Sequence, residues 1–222
     1  NGNTTAGQGK TKYDADVRSE LITSWEAGAE LKFFNNRLGV DFAWYKTNAK
    51  RQLMNIPLNN LSGYDNMKVN AGNIQNTGIE IMLNARPIET AQFSWDTQLN
   101  FSQNKSKIIE LLPGKPGMQY ALGGSDALQV YAVAGGAYGE IWGTKYQRVE
   151  EVKGQLLLNE SGLPQATSDK HKIGEQQPDF LLGWTNTFNY KNFTLSFLID
   201  GRFGGDIFSF TNMNLQRSGI AE

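Results

Sequence analysis

The chain has no cysteine, which excludes a disulfide scaffold and any thiolate metal site. It has one histidine, His171, with no second imidazole or thiol to share an ion, so that residue reads as a solvated loop position. An excess of one charge is missing as well. Lys and Arg number 21 against 22 Asp and Glu, a net charge of −1, and the cations are scattered along the sequence. Phosphate binding needs a clustered basic surface, so nucleic acid is not an expected partner. No apolar run approaches about eighteen residues, the length a membrane-crossing helix requires. Nucleotide motifs fail on spacing: Gly9-Lys10-Thr11 has Thr4 where the phosphate loop needs its first glycine, and Gly135-Gly136 with Gly139 neither follows a strand nor opens a helix. No cofactor is expected. Carboxylates are plentiful, but a hydrolytic pair needs a proximity that sequence does not define.

What the chain does have is alternation. In Asp179 to Gly204, Phe193, Leu195, Phe197, Ile199 and Phe203 share one parity with Gly201, while Thr194, Ser196, Asp200 and Arg202 share the other with Leu198. Leu182, Trp184, Phe188 and Tyr190 alternate in the same way ahead of a tight Lys191-Asn192 link, so the pair reads as a hairpin with one apolar and one wet face. Strands in soluble domains cluster near five or six residues, whereas a strand crossing a bilayer at about 45° needs roughly nine to eleven. A mean hydropathy of −0.46 does not oppose that reading, because lumen-facing positions and outer loops dilute the lipid-facing half.

The same signature recurs. Strands are expected near 24–34, 38–48, 76–86, 92–102, 179–190 and 193–204, with long outer loops at 49–75, 103–178 and 205–222. The longest loop contains a strand-like piece at Glu140 to Tyr146 and a small hairpin around Asn159-Glu160-Ser161-Gly162. Connections run short, long, short, long, short, then open out again. Barrels of the outer-membrane type keep short turns on one side and long loops on the other, and a soluble sandwich has no reason to do so. The expected fold is therefore all-β, an antiparallel transmembrane β-barrel segment with long extracellular loops. The alternative is a soluble carbohydrate-binding β-sandwich. Phe33, Phe34, Phe93, Tyr190 and Phe193 lie beside the short turns, and Trp25, Trp44 and Phe101 near the long-loop ends, as two interfacial girdles would require. Asp200 and Arg202, on one polar face, are expected to form a lumen ion pair. A start without Met and an end without a closing element suggest a segment of a longer polypeptide.

Five stretches carry a resemblance: SWEAGAELKFFNNRLGVDFAWYKTNAKRQLM (Ser24 to Met54), NAGNIQNTGIEIMLNARPI (Asn70 to Ile88), FSWDTQLNFSQNKSKI (Phe93 to Ile108), AYGEIWGTKYQ (Ala137 to Gln147) and QPDFLLGWTNTFNYKNFTLSFLIDGRFGGDIFSFT (Gln177 to Thr211). Together they are similar to the barrel of SusC-like TonB-dependent transporters. The resemblance implies an outer-membrane protein of Bacteroides-type Gram-negative bacteria, with residues 1–222 part of a barrel of about twenty-two strands around an N-terminal plug. It also implies a SusD-like surface lipoprotein as lid, energy from TonB–ExbB–ExbD, oligosaccharides or peptides as cargo, outer-membrane lipid as solvent, and no catalysis. On this resemblance the plug, the TonB-contacting segment and the last barrel strands are expected to lie outside this sequence. Within the long loops, Tyr64, Asp65, Tyr120, Tyr131, Tyr138 and Trp142 put aromatic faces and hydrogen-bonding groups where solute would enter, and are the candidate substrate-binding residues. The other reading of these side chains is that they pack the loops against one another or against a lid.

Overall fold

The computed structural model describes residues 9–125, 128–149 and 154–218. The elements run β1 (Thr11–Tyr13), β2 (Leu21–Phe33), β3 (Leu38–Pro57), a 3-10 turn (Asn60–Ser62), β4 (Asn66–Glu89), β5 (Phe93–Glu110), β6 (Gln119–Gly124), β7 (Leu128–Val133), β8 (Tyr138–Gly143), β9 (His171–Glu175), β10 (Phe180–Tyr190), β11 (Phe193–Phe203) and α1 (Phe210–Arg217). One sheet has the order β2-β3-β4-β5-β10-β11 with antiparallel neighbours, and β1 adds in parallel to β4 at Asn66 to Lys68. A second sheet, β6-β7-β8-β9, forms within the excursion between β5 and β10.

Period-two patterning makes the first sheet a wall with two faces. Leu31, Val40, Leu83, Leu99, Trp184 and Ile199 oppose one another strand by strand, and in the adjacent register so do Glu30, Asp41, Met82, Asn100, Gly183 and Asp200. A one-residue slip anywhere would mix the faces, so the pattern fixes the pairing. Among the described residues no second sheet covers the apolar side. Phe193 is 78% exposed and Leu195 62%, which rules out the sandwich alternative, since a sandwich buries its inward-facing side chains between two sheets. The indole donors on this face are matched within it: the Trp184 Nε1 donates to Thr97 Oγ1 at 2.8 Å and the Trp95 Nε1 to Asn186 Oδ1 at 3.0 Å. Asn186 lies under the stacked Trp95 and Phe188 rings at 1% exposure, and its Nδ2 has no partner among the described residues.

The short turns gather at one end. Phe34, Asn35 and Asn36 take positive φ, as does Lys191. Neighbouring turns are laced by backbone bonds from Arg86 N to Arg37 O (2.8 Å) and Lys191 N to Gln92 O (2.9 Å).

The other end departs from the sequence expectation. The stretch 49–75 is not a long outer loop: β3 continues to Pro57 and β4 starts at Asn66, leaving 58–65 as the connection. The stretch 103–178 is a connection with strands in it: β5 reaches Glu110, and β6 to β9 follow within the excursion. Strands of 20, 24 and 18 residues exceed the roughly nine to eleven that a tilted crossing needs, so the wall continues beyond the lipid band. Past that band neither face meets hydrocarbon, so the alternation that identifies a strand is no longer required. A bend marks the transition. Arg51 (φ 58°) is skipped in the β3–β4 register opposite Gly72 (φ 85°), and β4 shifts against β5 between Asn73 and Ile74. Asn70 secures the bend, its Nδ2 donating to the Arg51 (2.7 Å) and Arg18 (2.8 Å) carbonyls.

The apolar core lies above this line. Ile108, Leu111 and Ala132 are buried together, with Met54, Ile74, Met118 and Tyr120 against them, and backbone bonds between Ile108 and residues 135–136 pin the second sheet to β5. The small hairpin at Asn159–Gly162 is present: Asn159 Oδ1 accepts from Ser161 N (3.0 Å) and Leu163 N (2.9 Å), closing an Asx-type turn between Leu158 and Pro164. Its flanks pair with Tyr146 and Arg148 to form an arm beside the second sheet.

Candidate solute-facing surface

Along the polar face of the wall a hollow of about 770 Å³ carries Glu30, Asp41, Glu80, Asn100 and Asp200 in its lining. Lys32 Nζ sits 2.6 Å from Glu30 Oε1 at its edge. Above it, the Tyr45 ring lies over Gly78 and its hydroxyl donates to Asn104 Oδ1 at 3.3 Å; a Cβ at Gly78 would fall 2.3 Å from the ring. Gly78 is the glycine of the NTGIE motif, and the close approach of Tyr45 is the physical reason for it. Near the short turns a second hollow of about 560 Å³ is bordered by an ionic chain, Arg37–Glu89 (3.3 Å), Glu89–Arg86 (3.2 Å) and Arg86–Asp96 (2.6 Å). The expected Asp200–Arg202 pair is not formed. The Arg202 guanidinium is engaged elsewhere, donating to the Gln176 carbonyl.

At the outer end, strand parity puts Tyr131, Glu140, Trp142 and Lys172 on one face of the second sheet. Glu140 is only 5% exposed, and its carboxylate accepts from Ala137 N (3.2 Å), Trp142 Nε1 (3.0 Å) and Lys172 Nζ (3.1 Å). A buried carboxylate needs such partners, because desolvation without them is costly. Partial burial pulls the Lys172 ammonium down, but hydrogen bonds to Glu175 (2.9 Å) and Glu140 outweigh it and leave its pKa above the ordinary lysine value.

The candidate residues fall into separate places. Tyr131 and Trp142 meet edge to face with centroids 6.1 Å apart, and Tyr138 opens β8 at 41% exposure. Tyr120 packs against the Ile108–Leu111–Ala132 core, which is the packing role weighed for it from sequence. Tyr64 and Asp65 stand elsewhere, at the tip between β3 and β4, where Asp65 pairs with Lys10 at 3.4 Å. Sequence reasoning missed Glu140 and Lys172: Glu140 opened a strand-like piece, but Lys172 stood in what read as loop, and only the β8–β9 pairing makes them neighbours.

The stretch 205–222 is also more than a loop. Asp206 N donates to the Glu175 carbonyl (2.6 Å) and Asp206 Oδ2 accepts from Glu175 N (2.9 Å), while Asp179 N donates to Phe203 O (2.8 Å). This clasp needs Gly174 and Gly204, where a Cβ would meet the Asp206 and Asp179 carboxylates at 2.7 and 2.4 Å. Beyond it α1 begins at Ser209, whose Oγ accepts from Asn212 N. Between α1 and the arm lies a groove of about 1210 Å³.

Residues 1–197 match the family described as TonB dependent receptor-like, beta-barrel. The chain belongs to that family. The wall of this TonB-dependent receptor barrel is accordingly an outer-membrane wall, its apolar face turned to lipid and its polar face to the lumen. Curated relatives include a TonB-dependent receptor of Formosa agariphila, 28% identical over 90% of the chain and 22% of the relative, and the TonB-dependent receptor SusC of Bacteroides thetaiotaomicron, 29% identical over 83% and 19%. Among solved structures, the RagAB peptide transporter aligns with TM-score 0.62 at 20% identity (82% of this chain, 21% of that one), and the RagAB peptide importer in its open-open state with TM-score 0.67 at 18% identity (86% and 21%). These likenesses concern the barrel fold. The chain spans about a fifth of the length of the relatives it matches.

Proposed function

We propose that the chain is the wall and outer-loop portion of a SusC-like importer that carries oligosaccharides or peptides across the outer membrane, energised by TonB–ExbB–ExbD and working with a SusD-like surface lipoprotein. One observation carries the reading: six neighbouring antiparallel strands place a largely apolar row of side chains on one face and a largely polar row on the other, in register from strand to strand apart from shifts in β4 at Asn73/Ile74 and Ala85/Ile88. Closing such a wall into a barrel satisfies the backbone groups that lipid cannot, and leaves a polar interior wide enough for a large solute. The relatives bear names of TonB-dependent receptors and SusC, and two structural neighbours are titled peptide transporter and importer. These support the cargo and partners proposed here. The wall does no chemistry on the solute; Tyr131, Tyr138 and Trp142 in the outer sheet, with Tyr64 and Asp65 at the neighbouring tip, offer it first contacts.

The test uses the full-length protein. It should extract only with detergent, migrate faster on gels before heating than after, and co-purify with a lipoprotein. A strain lacking it should fail to accumulate a labelled oligosaccharide or peptide, and loss of TonB should reproduce the defect. Full solubility without detergent, or unchanged uptake in the deletion strain, would refute the proposal.

A further inference from the structure

We infer that the groove between α1 and the arm is a binding site for an extended peptide rich in acidic side chains. The inference rests on the importer reading above and names a cargo chemistry for it. Charge is the first reason. Lys145 and Arg148 line the groove, and none of the described lining residues is Asp or Glu. The lumen hollow is the reverse, with Glu30, Asp41, Glu80 and Asp200 and no cation in its lining. In a chain of net charge −1, such segregation is local. Among the described residues no ion pair engages Lys145 or Arg148; Arg148 donates to the Gly154 carbonyl. Glu150 and Glu151 follow it in sequence and lie outside the described residues. The first turn of α1 reinforces the sign: Ser209 and Asn212 border the groove, that turn contains no acid, and the N-terminal end of a helix dipole is positive.

Lining chemistry is the second reason, and it suits a peptide. Gln147, Asn212 and Gln216 present amides, which both donate and accept as a peptide backbone requires. Between them lie Ile173, Ile207 and Met213, flexible or aliphatic surfaces suited to apolar side chains. Of the groove's two aromatics, Phe208 is paired edge-on with Phe210, 5.0 Å and 79°, and Tyr146 is 59% exposed, so it is the charge of the lining rather than its rings that singles out an acidic peptide. A volume of about 1210 Å³ exceeds the pockets of about 300–1,000 Å³ that hold small ligands, which leaves room for several residues.

Fluorescently labelled peptides of one length, carrying acidic, neutral or basic side chains, would be titrated into the full-length receptor in detergent. The acidic peptide should bind tightest, weaken with added salt, and lose about tenfold on Lys145→Glu while the neutral peptide is unaffected. If Lys145→Glu fails to give the heat-modifiable folded form, Lys145→Gln carries the same test with a loss of about threefold. Equal binding of the three peptides, insensitivity of the acidic one to Lys145, or its displacement by an acidic oligosaccharide at matched concentration would overturn the site as assigned. A receptor that binds neither peptide nor oligosaccharide, with uptake unchanged in its deletion strain, would instead overturn the importer reading beneath it.

Discussion

The barrel wall and the outer sheet are both built of antiparallel strands from the same residue types, yet they keep their apolar side chains in opposite places. Val69, Ala71, Ile108, Leu111, Leu128, Ala132 and Ile141, the buried apolar residues among those described, all lie at or beyond the bend or in the second sheet. On the spanning part of the wall, Leu31, Leu195 and Ile199 are each more than half exposed. Burial reports the solvent: a sheet facing water must find an apolar partner, and a sheet facing hydrocarbon already has one. One strand can obey both rules along its length, as β4 does on either side of Gly72.

Truncating the outer core should have the largest effect. Leu111→Ala removes a side chain that is 1% exposed and should cost about 2–5 kcal/mol, the usual range for a buried leucine. In the folded, detergent-solubilised receptor it should show as faster hydrogen exchange across β7 and β8 with the wall unchanged. A uniform rise over the whole wall would mean that the two regions are one cooperative unit, and the contrast drawn above would fail. Next comes a charge on the lipid face. Leu83→Arg, in the central apolar row, should lower folding into vesicles by about 2–4 kcal/mol, whereas Asn84→Arg, one residue along on the lumen face, should be close to neutral. Equal effects from the two would show that the faces are not lipid and water.

How far the sequence could be read follows the same division. Where lipid demands alternation, Phe193 to Phe203 and Leu38 to Trp44 announced their strands and even their facing. Beyond the bend, RQLMNIP and NMKVNAGN read as loop because polar residues on both faces of a strand are tolerated in water, and only tertiary pairing reveals them. Site residues suffered more. Tyr131 and Trp142 could be suspected as loop aromatics, but their meeting depends on the β7–β8 register, and Glu140 beneath them looked like any surface acid. The clasp at Asp206 was hidden because the glycines that permit it, Gly174 and Gly204, also look like ordinary loop glycines.

A smaller effect separates close packing from hydrogen bonding on the polar face. Gly78→Ala displaces the Tyr45 ring and should cost about 0.5–1.5 kcal/mol through loss of its bond to Asn104. Tyr45→Phe removes the same bond without displacing the ring, so a match between the two in urea titrations of vesicle-folded protein assigns the cost to the hydroxyl. A Gly78→Ala loss well above that of Tyr45→Phe assigns it to the ring's position.

The smallest effect concerns the ion pairs of the outer sheet, and it has a direction in pH. Because Lys172 holds its proton more firmly in the folded sheet than in the unfolded chain, its contribution is complete below the ordinary lysine pKa and fades as pH rises through the raised value. Trp142 emission, which senses Glu140 through the indole N–H, should therefore stay level through neutral pH and change only in strongly alkaline solution. The Lys172→Met variant should lack that alkaline change. With the Lys172 side chain 42% exposed, solvent screening limits the pair to about 0.2–1 kcal/mol, so the sheet should remain folded when it is lost. An alkaline transition that survives in Lys172→Met would place the titrating group elsewhere and leave Glu140 held by Ala137 N and Trp142 Nε1 alone.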